Sequence, residues 1–512
     1  MHGLDRYAER LKLEGLLQAT PGSLAFVEQL DASRLREMRL AIRARFFDRH
    51  HDRFARIAAA SHLLPVSLSA LIARKGLGPL LSARATAHLP PGNAIAMARH
   101  EPVGFLTDVC IHTDPRRVLP MLAGMPVATV IAVATELAAR GDAPTMGEMV
   151  AGLPVAAIEA VLEALHDNDA LLLQVSLFID DDTVLRQLAD LISDERASRM
   201  MQAADAACFW PVALYLMQRL DAPRRARFGD GLSCQSDALL NNLVRSIHQH
   251  QLWHAALPIL ADLSKVSRGR LALTATVHEP DVMSAIVGAA EAHDLWPSLL
   301  MLLPLLDEGT QLTLLELPAL QQPATLARIL HAADANNRWA DLLPLLNLME
   351  TDTLVLMATV GAALDDRAVL NLMQAAHQHR LWTPGLRLTG ALPLAQQRRA
   401  GCLLAQAGPS MLEGLLRHVA TTRQWELLTR WHEAQEVDIQ RQLLMQACRA
   451  GDAQLAQWLD ALVQAGLNTR YLESLRLTDG ATHERVAAAI RRLPEDRQPE
   501  LLAQLAAVTP VH

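Results

Sequence analysis

Histidine is the residue type here best suited to metal or acid–base chemistry, and the chain has twenty of them. His248-Gln249-His250 recurs 129 residues later as His377-Gln378-His379, and His293 falls in the same periodic column as His250 and His379. Neutral imidazole is a common transition-metal ligand, so a line of them could hold an ion. Neighbouring members of the column are 43 residues apart, however, and helices in a stack sit about 8–10 Å apart, too far for single histidines to share one ion easily. The local group His248, His250 and His254 is the better-placed weak candidate. The expectation is polar turn residues, no metal and no cofactor, and His50-His51 is read in the same way.

A second group is cationic. Residues 32–100 carry twelve Arg and Lys against Glu37, Asp48 and Asp52, in a chain whose net charge is −8. Leu35, Met38, Ile42, Phe46, Phe54 and Ile57 trace a rough apolar stripe, and Arg45, Arg49 and Arg53 stand four apart beside it. That is the pattern of an amphipathic helix meeting an anionic membrane surface or nucleic acid. The plainer reading is a solvated helix whose arginines pair with Asp48 and Asp52. A third is docking of the basic end on an acidic surface of this chain or of a second copy. Asp180-Asp181-Asp182 directly precedes Thr183-Val184-Leu185 and is read as a helix cap. Catalytic signatures are missing: there is no G-x-S-x-G, no H-E-x-x-H, no phosphate loop and no dinucleotide fingerprint. The chain is therefore expected to be no enzyme, and no small-molecule substrate is inferred.

The elements that must position these residues are set by tryptophan. Trp210, Trp253, Trp296, Trp339, Trp382 and Trp425 are spaced 43 residues apart without a slip, and a fixed period of this size marks a helical-repeat stack. Sixteen residues before each Trp stands Asp194, Asp237, Pro280, Pro323, Asp366 or Pro409, residue types suited to a helix start. The intervening columns, for example Met200/Leu243/Ile286/Ile329/Leu372/Leu415, repeat at spacings of three and four, which is one helix face. A polar break follows, then a second helix led by the Trp. Tails such as 312–320 and 353–364 are long enough for a third, and 43 residues is long for two helices and a turn. Pro258 and Pro344 should bend or shorten the second helix. The Trp column is read as packing wedges between units; an exposed ladder that binds a ligand is the alternative.

Upstream the rhythm shortens to proline-led helices at Leu89-Pro90-Pro91, Asp114-Pro115, Met125-Pro126 and Leu153-Pro154. Residues 89–200 weakly resemble the cytosolic N domain of MgtE-type magnesium transporters, which implies a superhelix of short helices; no magnesium ligand carries over. The whole resembles the HEAT/armadillo class. The expected fold is all-α, a right-handed helical-repeat solenoid with 43-residue repeats and shorter N-terminal repeats. Its parts are 1–60 (charged helices), 61–192 (short-helix superhelix), 193–450 (six repeats) and 451–512 (capping helices).

Five scattered cysteines without a C-x-x-C pair fit reduced thiols. The charged start, Met1 to Leu17, does not read as a signal peptide. The longest uncharged run, 118–135, is broken by Pro120, Gly124 and Pro126 and is shorter than a spanning helix requires. The expectation is a cytoplasmic scaffold that binds an unknown protein partner over its curved surface. The alternatives are an adaptor for an anionic membrane or nucleic acid through residues 32–100, and a metal-responsive regulator using the histidines.

Overall fold

The computed structural model describes residues 2–61, 63–450, 452–464, 475, 480–495 and 497–508, and among them every regular element is helical. The chain is an all-α helical-repeat protein. It divides into two units, Met1–Thr276 and Val277–His512.

Each 43-residue repeat contains three helices. The second repeat shows the plan: Asp237–Gln249, Trp253–Asp262 and Lys265–Ala272, closed by the 3-10 turn Ala275–His278. The tails of the third and fourth repeats form Glu308–Leu315 and Thr351–Gly361. Proline acts unevenly in the second helix. Pro258 lies inside Trp253–Asp262 without ending it. In the fourth repeat the α-helix stops at Leu342 and Pro344 lies in the 3-10 segment Leu343–Asn347 that follows.

The helix starts differ in detail from the sequence expectation. The side chains that cap the first helices of the first, second and fifth repeats are Ser193, Ser236 and Asp365, one residue before the aspartate column. Asp194, Asp237 and Asp366 instead sit in the first turn and each meets an arginine 33 residues on, Arg227 (2.9 Å), Arg270 (2.6 Å) and Arg399 (2.5 Å). Arg227 also donates to the Ala189 and Ile192 carbonyls, and Arg270 to those of Ser233 and Gln235. A guanidinium with several fixed donors can satisfy a carboxylate and orphan carbonyls at once. The arginines therefore staple the third helix of a repeat to its first helix and to the loop before it.

The bend between first and second helices is built on a second column. Cys208, Gln251, Asp294, Asn337, Arg380 and Arg423, each two residues before a Trp, all have φ between 53° and 58°. The next residue's N–H reaches back to the carbonyl five positions earlier in every case, as in Leu252 to Ile247 at 2.9 Å and Leu381 to Ala376 at 2.8 Å. This is a Schellman closure, but without glycine. A left-handed conformation costs an L-residue about 1–2 kcal/mol, and Gln251 is exposed, so nothing else is lost by replacing it. Gln251→Gly should raise stability by about 0.5–1 kcal/mol, and Gln251→Val should lower it by about as much or more. Denaturant midpoints read this; a destabilising glycine would show that the Gln251 side chain makes a contact that matters.

The first unit opens with helices His2–Leu17 and Ala32–Asp48, which pack on each other. A cluster of ion pairs joins them to the rest of the unit. Arg39, fully buried, reaches Glu9 (2.8 Å), Glu148 (2.7 Å) and Asp180 (3.1 Å), while Lys12 reaches Asp180 (2.6 Å) and Arg43 reaches Glu148 (2.7 Å). Tyr215 adds a hydrogen bond to Asp5. The basic end thus docks within its own chain, through Arg36, Arg39 and Arg43. Of the three aspartates at 180–182, only Asp181 caps the helix, accepting from the Thr183 N–H at 2.7 Å; Asp180 belongs to the ionic cluster and Asp182 pairs with Arg219.

Candidate functional site

The six tryptophans of the repeat column are all buried. Five positions before each Trp stands a column of mixed type: Asp205, His248, Glu291, Asp334, His377 and Ala420. Trp210 and Trp339 donate from Nε1 to Asp205 (3.0 Å) and Asp334 (3.1 Å). The same carboxylates accept from Asn242 and Asn371 of the following repeat, at 3.1 and 2.9 Å. Where histidine replaces aspartate, the His377 ring packs edge-on against Trp382 with centroids 6.1 Å apart. His377 thus takes a place against the wedge.

The other histidines part company. His250, His293 and His379 are exposed where the first helix ends, and His254 donates from Nδ1 to the Gln251 carbonyl at 3.2 Å. Among the described residues, no three His, Cys, Asp or Glu side chains are arranged to hold a metal ion.

Arg45, Arg49 and Arg53 are exposed, but they do not share one helix. Ala32–Asp48 ends before Arg49, His50 adopts φ 70°, and His51–Ser61 starts anew. The expected spacing-four stripe is therefore interrupted by a turn. Nor do these arginines pair with Asp48 and Asp52: Asp48 accepts from Arg117 at 2.7 Å, and the Asp52 carbonyl accepts from Arg56. Among the described residues the three arginines find no carboxylate.

Just beyond them lies a surface that hydrophobic periodicity did not reveal. Helix Val66–Ile72 buries Ser69 and Ala70 and exposes Val66, Leu68, Leu71 and Ile72. Gly78–Thr86 likewise buries Ser82, Ala83 and Ala85 and exposes Leu80 and Leu81, and Leu63 is 87% exposed. Both helices are inverted, with small residues inward and large aliphatics outward. The inward serines are satisfied: Ser69 donates to the Ser61 carbonyl (3.2 Å) and Ser82 to that of Ala73 (3.1 Å). Small inner faces let neighbouring backbones approach closely and leave the Leu and Ile side chains no core to enter. From residue 53 to 100 there is no acid, against Arg53, Arg56, Arg74, Lys75, Arg84 and Arg99. Of these, Arg74 faces the buried carboxylate of Glu101 at 3.9 Å. Burial pushes the Glu101 carboxyl above its ordinary range, and Arg74 offsets this in part. The patch is thus apolar, exposed and set among cations, with the buried Glu101 carboxylate facing one of them, Arg74.

No protein-family model matches the chain. No curated protein matches it either, so the likeness of residues 89–200 to a magnesium-transporter N domain gains no support. Among solved structures, the pentatricopeptide repeat protein PPR10 from maize is similar at 12% identity, over 99% of this chain and 93% of that one, with a TM-score of 0.14. A circular tandem repeat protein with novel repeat topology and enhanced subunit contact surfaces is also 12% identical, over 99% of this chain and 95% of that one, with a TM-score of 0.12. At those scores neither likeness carries an argument, and the fold rests on the helices described above.

Proposed function

We propose that this chain is a non-catalytic, cytoplasmic helical-repeat adaptor that docks on anionic membrane surfaces through residues 45–84, leaving its repeats to hold a protein partner. The observation that carries the reading is the pair of inverted helices, Val66–Ile72 and Gly78–Thr86, with exposed Leu and Ile side chains and no acid in the sequence from residue 53 to 100. A contiguous apolar surface on a folded protein marks an interaction site. The cations select an anionic partner, and large aliphatic side chains suit the acyl boundary of a bilayer better than nucleic acid, whose backbone offers them little. Pairing of two copies through this patch would set like charges against each other. No helix among the described residues is long and apolar enough to cross a membrane, so the contact proposed is peripheral.

A basic residue near an anionic bilayer contributes about 1 kcal/mol, and salt screens it. Arg45→Ala/Arg49→Ala/Arg53→Ala should therefore weaken binding to phosphatidylglycerol vesicles by roughly a hundredfold at low ionic strength. Leu68→Ser/Leu71→Ser/Ile72→Ser should weaken it at any salt, and its exposed positions leave the fold intact. Vesicle flotation across a salt series reads both. Failure to float with anionic vesicles would overturn the reading, and salt-sensitive retention on single- or double-stranded nucleic acid without vesicle binding would replace it.

A further inference from the structure

The first unit contains an apolar cavity of about 320 Å³, partly open to solvent, that nothing above accounts for. Every helix from Val103–His112 to Trp253–Asp262 contributes to its lining. The cavity therefore follows the series of helices and does not sit between one pair of them. None of its lining side chains is charged, and the polar ones are few. Ser176 satisfies its own hydroxyl on the Leu172 carbonyl at 2.8 Å, and the Trp210 indole N–H is held by Asp205. Water in so apolar a cavity finds few polar partners to order it, and covering the apolar wall with a ligand is favourable.

From this geometry we propose that the cavity is a binding channel for one long aliphatic chain, such as an acyl or isoprenoid tail. Its methionines support an adaptable apolar site. Met125, Met146, Met149, Met200, Met201 and Met217, six of the seventeen in the protein, line it. Unbranched thioethers conform to a flexible ligand without a fixed shape of their own. An extended peptide would leave its backbone N–H and C=O groups unpaired against so apolar a lining. The site is separate from the proposed docking surface, since no residue before Leu106 lines it.

Cys110 supplies an internal reporter. Its thiol lies on the channel wall, and burial pushes it up to about 11, whereas Cys208 and Cys234 are exposed. The test uses the full chain, delipidated, with cis-parinaric acid kept below its micelle concentration. Saturable binding near one per chain is expected, with displacement by palmitate, by geranylgeraniol or by both telling an acyl from an isoprenoid preference. Bound ligand should slow maleimide labelling of Cys110 at least tenfold and leave Cys208 and Cys234 unchanged. Ala213→Trp and Ala134→Phe, which fill the channel from two different helices, should each abolish binding while helicity and the melting transition persist. The vesicle-docking variant Leu68→Ser/Leu71→Ser/Ile72→Ser should bind parinaric acid like the parent, which keeps a failure here distinct from a failure of membrane docking. Absence of saturable binding, or binding unchanged in both folded filling variants and without protection of Cys110, would overturn the proposal.

Discussion

Arg39→Ala is expected to destabilise the first unit by about 3–5 kcal/mol, the range for removing one partner of a buried ionic cluster. The Arg39 side chain is almost wholly inaccessible and contacts three carboxylates, one on the first helix, one on Ala143–Met149 and one at Asp180. Its loss leaves Glu9, itself buried, with Arg36 and Lys12, and Lys12 is a weak substitute because burial holds its own pKa below the ordinary lysine value. Arg39→Lys should recover only part of the loss, since a single ammonium cannot serve three carboxylates in fixed directions. The cluster also sets a pH dependence. Burial alone would raise the Asp180 carboxyl, but Lys12, Arg39 and Arg36 overcome this and bring it to about 2. A carboxylate depressed on folding contributes stability that is fully present above its unfolded value near 4 and lost as pH falls toward 2. Protection of the N-terminal helices should therefore hold from pH 7 to 5 and decline below 4. Hydrogen exchange resolved to the first unit is the measurement, because a chain of two units need not unfold in one step. A loss under about 1 kcal/mol in Arg39→Ala would mean that the helices dock by packing and that the charges are incidental.

How much of this was legible depended on whether the signal was local. The Trp column and the helix faces at spacings of three and four are periodic and set out two helices per repeat; the long tails leave room for a third, which the structure contains. The left-handed column two residues before each Trp was hidden because Cys, Gln, Asp, Asn and Arg stand where glycine is the usual sign. The arginine staples are periodic, with Arg227, Arg270 and Arg399 in one column, but a recurring arginine does not by itself say which carboxylate or carbonyl it reaches. The ionic cluster joins residues 9, 12, 39, 148 and 180, with no spacing to betray it. The inverted helices were missed for a different reason. Periodicity finds the apolar face of a helix but does not say that it turns inward, and only Ser69, Ala70, Ser82 and Ala83 in the core show that it does not. A cavity has no residues of its own, so the channel left no mark beyond a concentration of methionines.

Trp296→Ala should cost the second unit about 3–5 kcal/mol, as large-to-small core changes do. Trp296 is 1% exposed and already borders a void of about 30 Å³ shared with Leu326, Ile329 and Leu342 of the next repeat. Truncation would merge the vacated volume with that space, which the surrounding helices cannot refill without moving. Among the described residues the indole N–H of Trp296 has no hydrogen-bond partner, so its contribution is volume and contact. Trp339 is equally buried, but its N–H is held by Asp334, which also accepts from Asn371 of the following repeat. The two sites thus separate packing from hydrogen bonding. Trp296→Phe should lose only the difference in buried surface. Trp339→Phe should lose that and about 1–2 kcal/mol more, because Asp334 keeps only one of its two donors. If the two phenylalanine variants are equally destabilised, the aspartate contributes nothing to the wedge, and the repeats are held in register by shape alone.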